Sequence, residues 1–255
     1  MHKAKKHLGQ NFLHDQRIIQ QIVHVIAPQK GDVVIEIGPG LGALTQAVLP
    51  YVGQMDVIEL DKDVIPRLQQ VCSGLGELRI HNADALTYDF NPHTPPLRII
   101  GNLPYNISSP LLFHLMHFTH LINDMHFMLQ KEMVDRMAAL PDSADYGRLT
   151  VMLQYHCQIE SLFNVPPQAF RPVPRVDSAV VRLIPHHPLP FIANDYLFFA
   201  ELVKQAFSQR RKTLRNCLKQ VCQPEHFVAA GIDPQWRAEV LSVADFVRLA
   251  NVIAV

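Results

Sequence analysis

A chain of 255 residues with 48% apolar side chains can bury one large core, or a medium core beside a small one. Its 23 basic and 23 acidic side chains cancel, so the total charge gives no sign of a nucleic-acid partner and only its distribution can. No stretch reaches the roughly 20 apolar residues of a membrane helix, the basic N-terminus lacks the apolar centre of a signal peptide, and Cys72, Cys157, Cys217 and Cys222 show no Cys-x-x-Cys spacing, the pattern of reduced thiols in the cytoplasm.

In chain order, residues 1–17 come first, with four Lys or Arg against one Asp. Within them Lys6-His-Leu-Gly-Gln-Asn-Phe-Leu13 is a polar and aromatic insert ahead of a helix. Gln10 and Asn11 can close over a ligand there; the same residues can equally form a basic arm. Val33-Val-Ile35 with Ile37 is the apolar run of a buried parallel strand. Gly38, Gly40 and Gly42 permit a tight turn and close approach of a ligand to backbone, and Leu41 to Val52 reads as a helix with Leu44, Val48 and Leu49 on one face. The next strand, Met55–Leu60, delivers Glu59, where a carboxylate can accept two hydrogen bonds from a ribose diol. Strand, glycine turn and helix together make a nucleotide cradle. Its ligand is open at this point. Gly38-x-Gly40-x-x-Ala43, with an acidic residue about twenty positions on, also fits the dinucleotide pattern of a dehydrogenase. Glu36 favours S-adenosylmethionine, because a carboxylate there can pair with the cationic methionine end of that donor and would repel a pyrophosphate.

Asp84 follows the third strand, in Ile80-His-Asn-Ala-Asp-Ala85. It can accept from the donor's adenine amine, or act as an ordinary turn carboxylate. Leu97-Arg-Ile-Ile-Gly101 is a further buried strand, and Asn102-Leu-Pro-Tyr105 stands at its end. This tetrapeptide suits an adenine. The N6 amine is a poor nucleophile because its lone pair is delocalised into the ring. Two acceptors on that NH2, the Asn102 amide oxygen and the Leu103 carbonyl, favour a pyramidal nitrogen with its lone pair exposed. Pro104 keeps the Leu103 carbonyl out of sheet pairing, and Tyr105 offers a stacking ring, worth ~1–3 kcal/mol per base. A base reaches such a slot only when flipped out or single-stranded. Ser109-Pro110 then reads as a helix cap and first turn. His114, His117 and His120 repeat every three residues, which fans them across a helix face instead of converging on an ion; no metal is expected.

Val165-Pro-Pro-Gln-Ala-Phe-Arg-Pro-Val-Pro-Arg175 is a rigid proline-rich loop. Phe170 within it can sandwich a base opposite Tyr105, or anchor the loop. Val176 to Ile184 reads as the last strand, Pro185 to Pro190 as a stiff linker, and Asp195 onward as helical. The expected fold is therefore α/β: a Rossmann-like, mostly parallel sheet with helices on both faces over 1–186, which binds the donor, and a small all-helical domain over 187–255, which meets RNA. Glu201 to Lys219 carries six Lys or Arg against one Glu, a local charge of +5 in a neutral chain. Arg210, Arg211, Lys212 and Arg215 are the candidate phosphate contacts in it.

Six blocks carry a family resemblance: Leu8-Gly-Gln-Asn-Phe-Leu13, Glu36-Ile-Gly-Pro-Gly-Leu-Gly42, Asn102-Leu-Pro-Tyr-Asn-Ile-Ser108, Tyr146-Gly-Arg148, Phe170-Arg-Pro-Val-Pro-Arg-Val-Asp-Ser178 and Phe207-Ser-Gln-Arg-Arg-Lys-Thr-Leu-Arg-Asn216. Across nearly the whole chain they resemble the KsgA/RsmA/Dim1 ribosomal RNA adenine dimethyltransferases, most of all the bacterial KsgA/RsmA type. The resemblance implies dimethylation of N6 on two adjacent adenosines near the 3′ end of small-subunit (16S) ribosomal RNA. The expected protein is a cytoplasmic monomer, and its expected partner is that RNA within a partly assembled 30S particle. The resemblance also implies donor contacts at Asn11, Leu13, Gly38, Glu59, Asp84 and Asn102, with Asn102 also touching the target amine and Tyr105 and Phe170 holding the base. The residue reading adds Gln10, Glu36 and Gly40 to the donor set. The related Erm methyltransferases share an Asn-x-Pro-aromatic motif, but the Tyr146-Gly-Arg148 and Arg210-Arg-Lys212 segments are closer to the KsgA type. An RNA-binding assembly factor with secondary methylation is the alternative from another class.

Overall fold

The computed structural model describes Lys5 and residues 9–254; residues 1–4 and 6–8 of the basic N-terminal stretch, and so the first three residues of the insert read above, lie outside the described residues. Regular structure begins with a two-residue strand, β1 (Phe12–Leu13), and helix α1 (Gln16–Ile26). Asp15 caps α1 by accepting from the backbone N–H groups of Arg17 and Ile18. Ile19, Ile22, Val23 and Ile26 share one face of the helix and are buried.

A strand–helix alternation follows: β2 (Val33–Ile37), α2 (Ala43–Val52), β3 (Gln54–Ile58), α3 (Ile65–Cys72), β4 (Glu77–His81), β5 (Leu97–Asn102), α4 (Ser108–Met116) and β6 (Ile122–Gln130). After α5 (Lys131–Met137) and α6 (Arg148–His156) come β7 (Cys157–Val165), the two-residue β8 (Phe170–Arg171) and β9 (Ser178–Pro185). The chain then continues through α7 (Tyr196–Ala206), α8 (Leu214–Cys217), α9 (Pro224–Ala230) and α10 (Val243–Ile253). No helix among the described residues is long and apolar enough to cross a membrane.

Seven strands form one sheet in the order β4-β3-β2-β5-β6-β9-β7. β4, β3, β2, β5 and β6 are mutually parallel, and β9 lies antiparallel to β6. The order reverses at β2, with β3 on one side and β5 on the other. Ligands of open α/β sheets bind outside the carboxyl ends at such a switch point. Glu36 of β2 pairs with Ile100 of β5, which brings the glycine turn and the Asn102 tetrapeptide side by side although they are distant in sequence. β1 and β8 make a separate antiparallel pair in which Leu13 faces Phe170.

Close approach of β2 and β5 depends on Gly101. A Cβ there would stand 2.5 Å from the Ile37 carbonyl oxygen, a backbone atom that cannot swing aside. Gly101→Ala should therefore destabilise the protein by about 2 kcal/mol. Urea denaturation checks this; a midpoint equal to wild type would show that the strands yield at no cost.

One local reading needs correction. α4 begins at Ser108, and Ile107 occupies the cap position in a helical conformation with no side-chain cap. Ser109 therefore caps nothing, and Pro110 is the third helical residue. The cause lies one residue earlier: the Ser108 hydroxyl donates back to the Pro104 carbonyl, 2.9 Å away, and starts the helix there.

The chain divides into two compact units. One comprises the residues up to Val134 with Ile159–Pro185; the other comprises Asp135–Gln158 with the residues from His186. The second unit thus holds α6 as well as the helices after the proline linker. In it, Phe199, Leu202 and Val203 of α7 and Phe246, Val247, Leu249 and Ala250 of α10 are buried. Tyr146, from the Tyr-Gly-Arg block, is buried and donates to the Leu241 carbonyl at 2.8 Å, which makes it a brace inside this unit. Burial pushes its phenol pKa up.

Candidate active site

Four carboxyl ends lie in a row, carrying Asp84 after β4, Glu59 after β3, the glycine turn after β2 and Asn102 at the end of β5. All four contribute to one cleft, closed on its other side by residues 9–13.

Glu59 is the most constrained of them. One carboxylate oxygen accepts the Gly40 N–H at 3.0 Å and the other the Asp61 N–H at 2.8 Å. Burial pushes its pKa up, and these backbone donors pull against that. Each oxygen keeps a second lone pair, so the carboxylate is fixed in plane and still able to accept two hydroxyls. Gly40 has φ +53°, and a Cβ on it would lie 3.0 Å from a Phe12 ring carbon. The turn thus needs glycine both for its left-handed backbone and for the ring packed over it. Asp84 presents its loop by accepting from Leu86 N–H at 2.9 Å. That loop is tied down behind, where Tyr88 bonds His93 and its carbonyl meets His114.

Glu36 is 2% exposed, and one of its oxygens accepts from the Thr45 hydroxyl at 2.6 Å. Burial, opposed by Thr45 and aided by the nearby Glu59, pushes its pKa up from 4.5 to about 8. A cation brought beside this carboxyl would pull its pKa back down and favour the charged carboxylate. The upward shift makes a stability prediction. Its folded pKa is above its unfolded one, so its contribution is fully present below pH 4.5 and is lost as pH rises through about 8. Glu36→Gln removes that titration. Relative to wild type it should gain up to about 1.4 kcal/mol per pH unit across this window, read from denaturation midpoints at pH 5 and pH 8.5. A constant difference would mean that Glu36 is ionised throughout.

The tetrapeptide after Gly101 is held at each residue. Asn102 donates from Nδ2 to the Asn11 carbonyl at 2.9 Å, which assigns the amide nitrogen to the N-terminal strap and leaves Oδ1 as the acceptor end. Leu103 N–H bonds the Met128 carbonyl of β6 at 3.1 Å. The Pro104 carbonyl accepts from Ile107 N–H and from Ser108. Tyr105, half-buried, shares a 2.8 Å hydrogen bond between its hydroxyl and that of Ser178.

A carboxylate with two free acceptor positions, a second, buried carboxyl, and an oriented amide beside an aromatic ring thus occupy one cleft. The sequence profile of the ribosomal RNA adenine dimethylase family matches residues 1–255. The chain belongs to this family. The dehydrogenase alternative ends here. A relative from Pseudomonas putida, ribosomal RNA small subunit methyltransferase A, is 54% identical over 256 residues, covering 99% of this chain and 96% of its own. Among solved structures, a dimethyladenosine transferase from Plasmodium falciparum has a TM-score of 0.82 at 28% identity, with 93% of this chain and 95% of that one covered. The 23S rRNA methyltransferase ErmE has a TM-score of 0.76 at 25% identity, with 96% and 100% covered.

In this dimethylase, Phe170 is not where the base-sandwich reading needs it. The ring is 1% exposed and belongs to the core that also contains Leu13, Ile19 and Ile22. It lies outside the cleft lining and has no face for a base; the pairing of β8 with β1 holds it inward. Of the two sequence readings, loop anchor replaces stacking partner. Gln10, Asn11 and Leu13 do line the cleft. The Gln10 amide, however, is committed to Asp61, at 2.8 Å, and to the Lys5 N–H, so it ties the strap down. Asp61, which also takes the Lys5 ammonium at 2.6 Å, lies behind the cleft lining as the anchor of this strap, a role that the sequence reading missed. Nothing in its spacing signals a partner some fifty positions upstream.

Arg210, Arg211 and Lys212 sit in a turn between α7 and α8. Arg210 donates to the Ala144 carbonyl and stands 4.0 Å from Glu239. Arg211, Lys212 and Arg215 are exposed, with no ion pair among the described residues.

Proposed function

We propose that this dimethylase transfers methyl groups from S-adenosylmethionine to N6 of two adjacent adenosines near the 3′ end of small-subunit ribosomal RNA. We place it in the cytoplasm as a monomer that acts on a partly assembled 30S particle. The observation that carries the reading is the Asn102 amide, turned by the Asn11 carbonyl so that its oxygen is the free end, one strand away from the Glu59–Gly40 cradle.

When bound, S-adenosylmethionine supplies a methyl group on a sulfonium that is already activated for displacement. The protein's residues supply place and polarity. Glu59 would accept the ribose hydroxyls, Asp84 the donor's adenine amine, and Glu36 would face the cationic methionine end, with Asn11, Leu13, Gly38 and Gly40 as walls. Asn102 Oδ1 and the Leu103 carbonyl would accept from the target NH2, freeing its lone pair and steadying the positive charge that develops there. Tyr105 would stack the base and Pro104 shape the slot. Orientation supplies most of the rate. No general base is needed before attack, because the amine proton becomes acidic only once nitrogen carries the methyl. Arg210, Arg211, Lys212 and Arg215 would neutralise phosphates.

The test is nucleoside mass spectrometry of immature small subunits treated with donor and protein. Dimethyladenosine in the small-subunit RNA is the expected product. The likeness to ErmE favours a second reading, large-subunit RNA as substrate, which product confined to that RNA would support. Stable association without product would make the protein an assembly factor only.

A further inference from the structure

Phe170 anchors the proline-rich segment in the core, and three residues beyond the end of that segment the chain sets a side chain against the tetrapeptide. Ser178 is the first residue of β9, is fully buried, and has its hydroxyl 2.8 Å from that of Tyr105. We propose that Ser178 is a positioning residue, which holds the Tyr105 ring in the plane that receives the target base. The inference rests on the reading of Tyr105 as the stacking ring.

Ser178 is a rigid post. Its backbone pairs with Gln130 at the carboxyl end of β6, and Lys131 N–H bonds the preceding Asp177 carbonyl at 2.9 Å. Upstream, Phe170 is fixed in the core. Tyr105 is different. It follows the end of β5, in a turn set by the Pro104 carbonyl, and its side chain is only half-buried. A tyrosine in a turn can occupy several staggered rotamers. The hydroxyl pair selects one, because a fully buried Ser178 that lost its partner would keep an unsatisfied polar group that no solvent reaches. β6 lies between β5 and β9, so the bond spans the carboxyl edge of the sheet and transmits the sheet's rigidity to an otherwise free ring.

The experiment compares wild type, Ser178→Ala, Tyr105→Phe and the double variant. It measures steady-state methylation of small-subunit RNA and calorimetric binding of donor. Each single variant should lower kcat/KM for RNA about tenfold, keep donor affinity within about twofold, and the double variant should be no worse than either single one. Tyr105→Phe keeps the ring, leaves the buried strand untouched and breaks the same bond, so it carries the test if Ser178→Ala folds poorly. Wild-type kinetics in Ser178→Ala, or losses that multiply in the double variant, would overturn the role of Ser178. A wild-type protein that methylates no RNA would instead overturn the proposed function, and that outcome is visible before any variant is compared.

Discussion

Asn102→Ala should lower kcat for RNA methylation by about 10²–10³-fold and weaken donor binding by no more than about threefold. The asymmetry follows from what each end of the amide does. Nδ2 gives one N–H to the Asn11 carbonyl at 2.9 Å, which orients the amide with Oδ1 as its acceptor end, and the partner proposed for that oxygen is the nucleophile. Removing the oxygen leaves the amine planar and its lone pair in the ring. The donor contacts proposed for Glu59, Asp84 and the glycine turn are untouched by the substitution. Aspartate is not a rescue. A carboxylate has no N–H for the Asn11 carbonyl, so two oxygens would oppose each other where one hydrogen bond stood. Asn102→Asp should therefore be nearly as slow as the alanine variant. Single-turnover transfer of labelled methyl, with donor affinity measured separately, decides the matter. An alanine variant that methylates RNA at the wild-type rate would remove Asn102 from the chemistry.

Glu59→Ala should weaken donor binding by about 100-fold or more, with turnover at saturating donor largely kept. Two hydroxyls that bond a charged acceptor are each worth ~1.5–3 kcal/mol, and the variant loses both. It also strands the N–H groups of Gly40 and Asp61, which Glu59 satisfies at 3.0 and 2.8 Å. Glu59→Gln tests the geometry more finely. Its one carbonyl oxygen can take one of those donors, while its NH2 must face the other, so it should bind donor about tenfold more weakly than wild type. Calorimetry reads both. Unchanged affinity in Glu59→Ala would mean that the ribose lies elsewhere.

Much of this arrangement is legible in the sequence because it sits at the ends of buried parallel strands. Val33–Ile37 and Leu97–Asn102 are mostly apolar, broken by Glu36 in the first and by Arg98 and the terminal Asn102 in the second, and the residues at the ends of such strands must emerge at one edge of the sheet. That logic finds the glycine turn, Glu59 and Asn102. It does not reach Phe170. A phenylalanine between prolines reads as displayed, and the two-residue pairing of β1 with β8 that turns it inward is too short to have a periodicity. Nor does it reach the start of α4, where Ser108 bonds backward to Pro104 in place of the expected Ser109 cap. Single hydroxyl contacts escape it too: Thr45 with Glu36 depends on how α2 packs back on β2, and Tyr105 with Ser178 on strand order, which pattern within one segment does not encode. The same holds for residues 135–158. Their helices alone do not reveal that they join the later ones in the second unit.

The partner of the Asn102 amide is a peptide oxygen, and every amino acid has one. Alanine scanning of residues 9–13 would therefore pass over it, recording side-chain losses while the contact stayed in place. Detecting it calls for backbone chemistry: an ester linkage in place of the Phe12 amide turns the Asn11 carbonyl into a weaker acceptor without altering a single side chain. A protein can thus hide part of its catalytic apparatus in atoms that genetics does not vary.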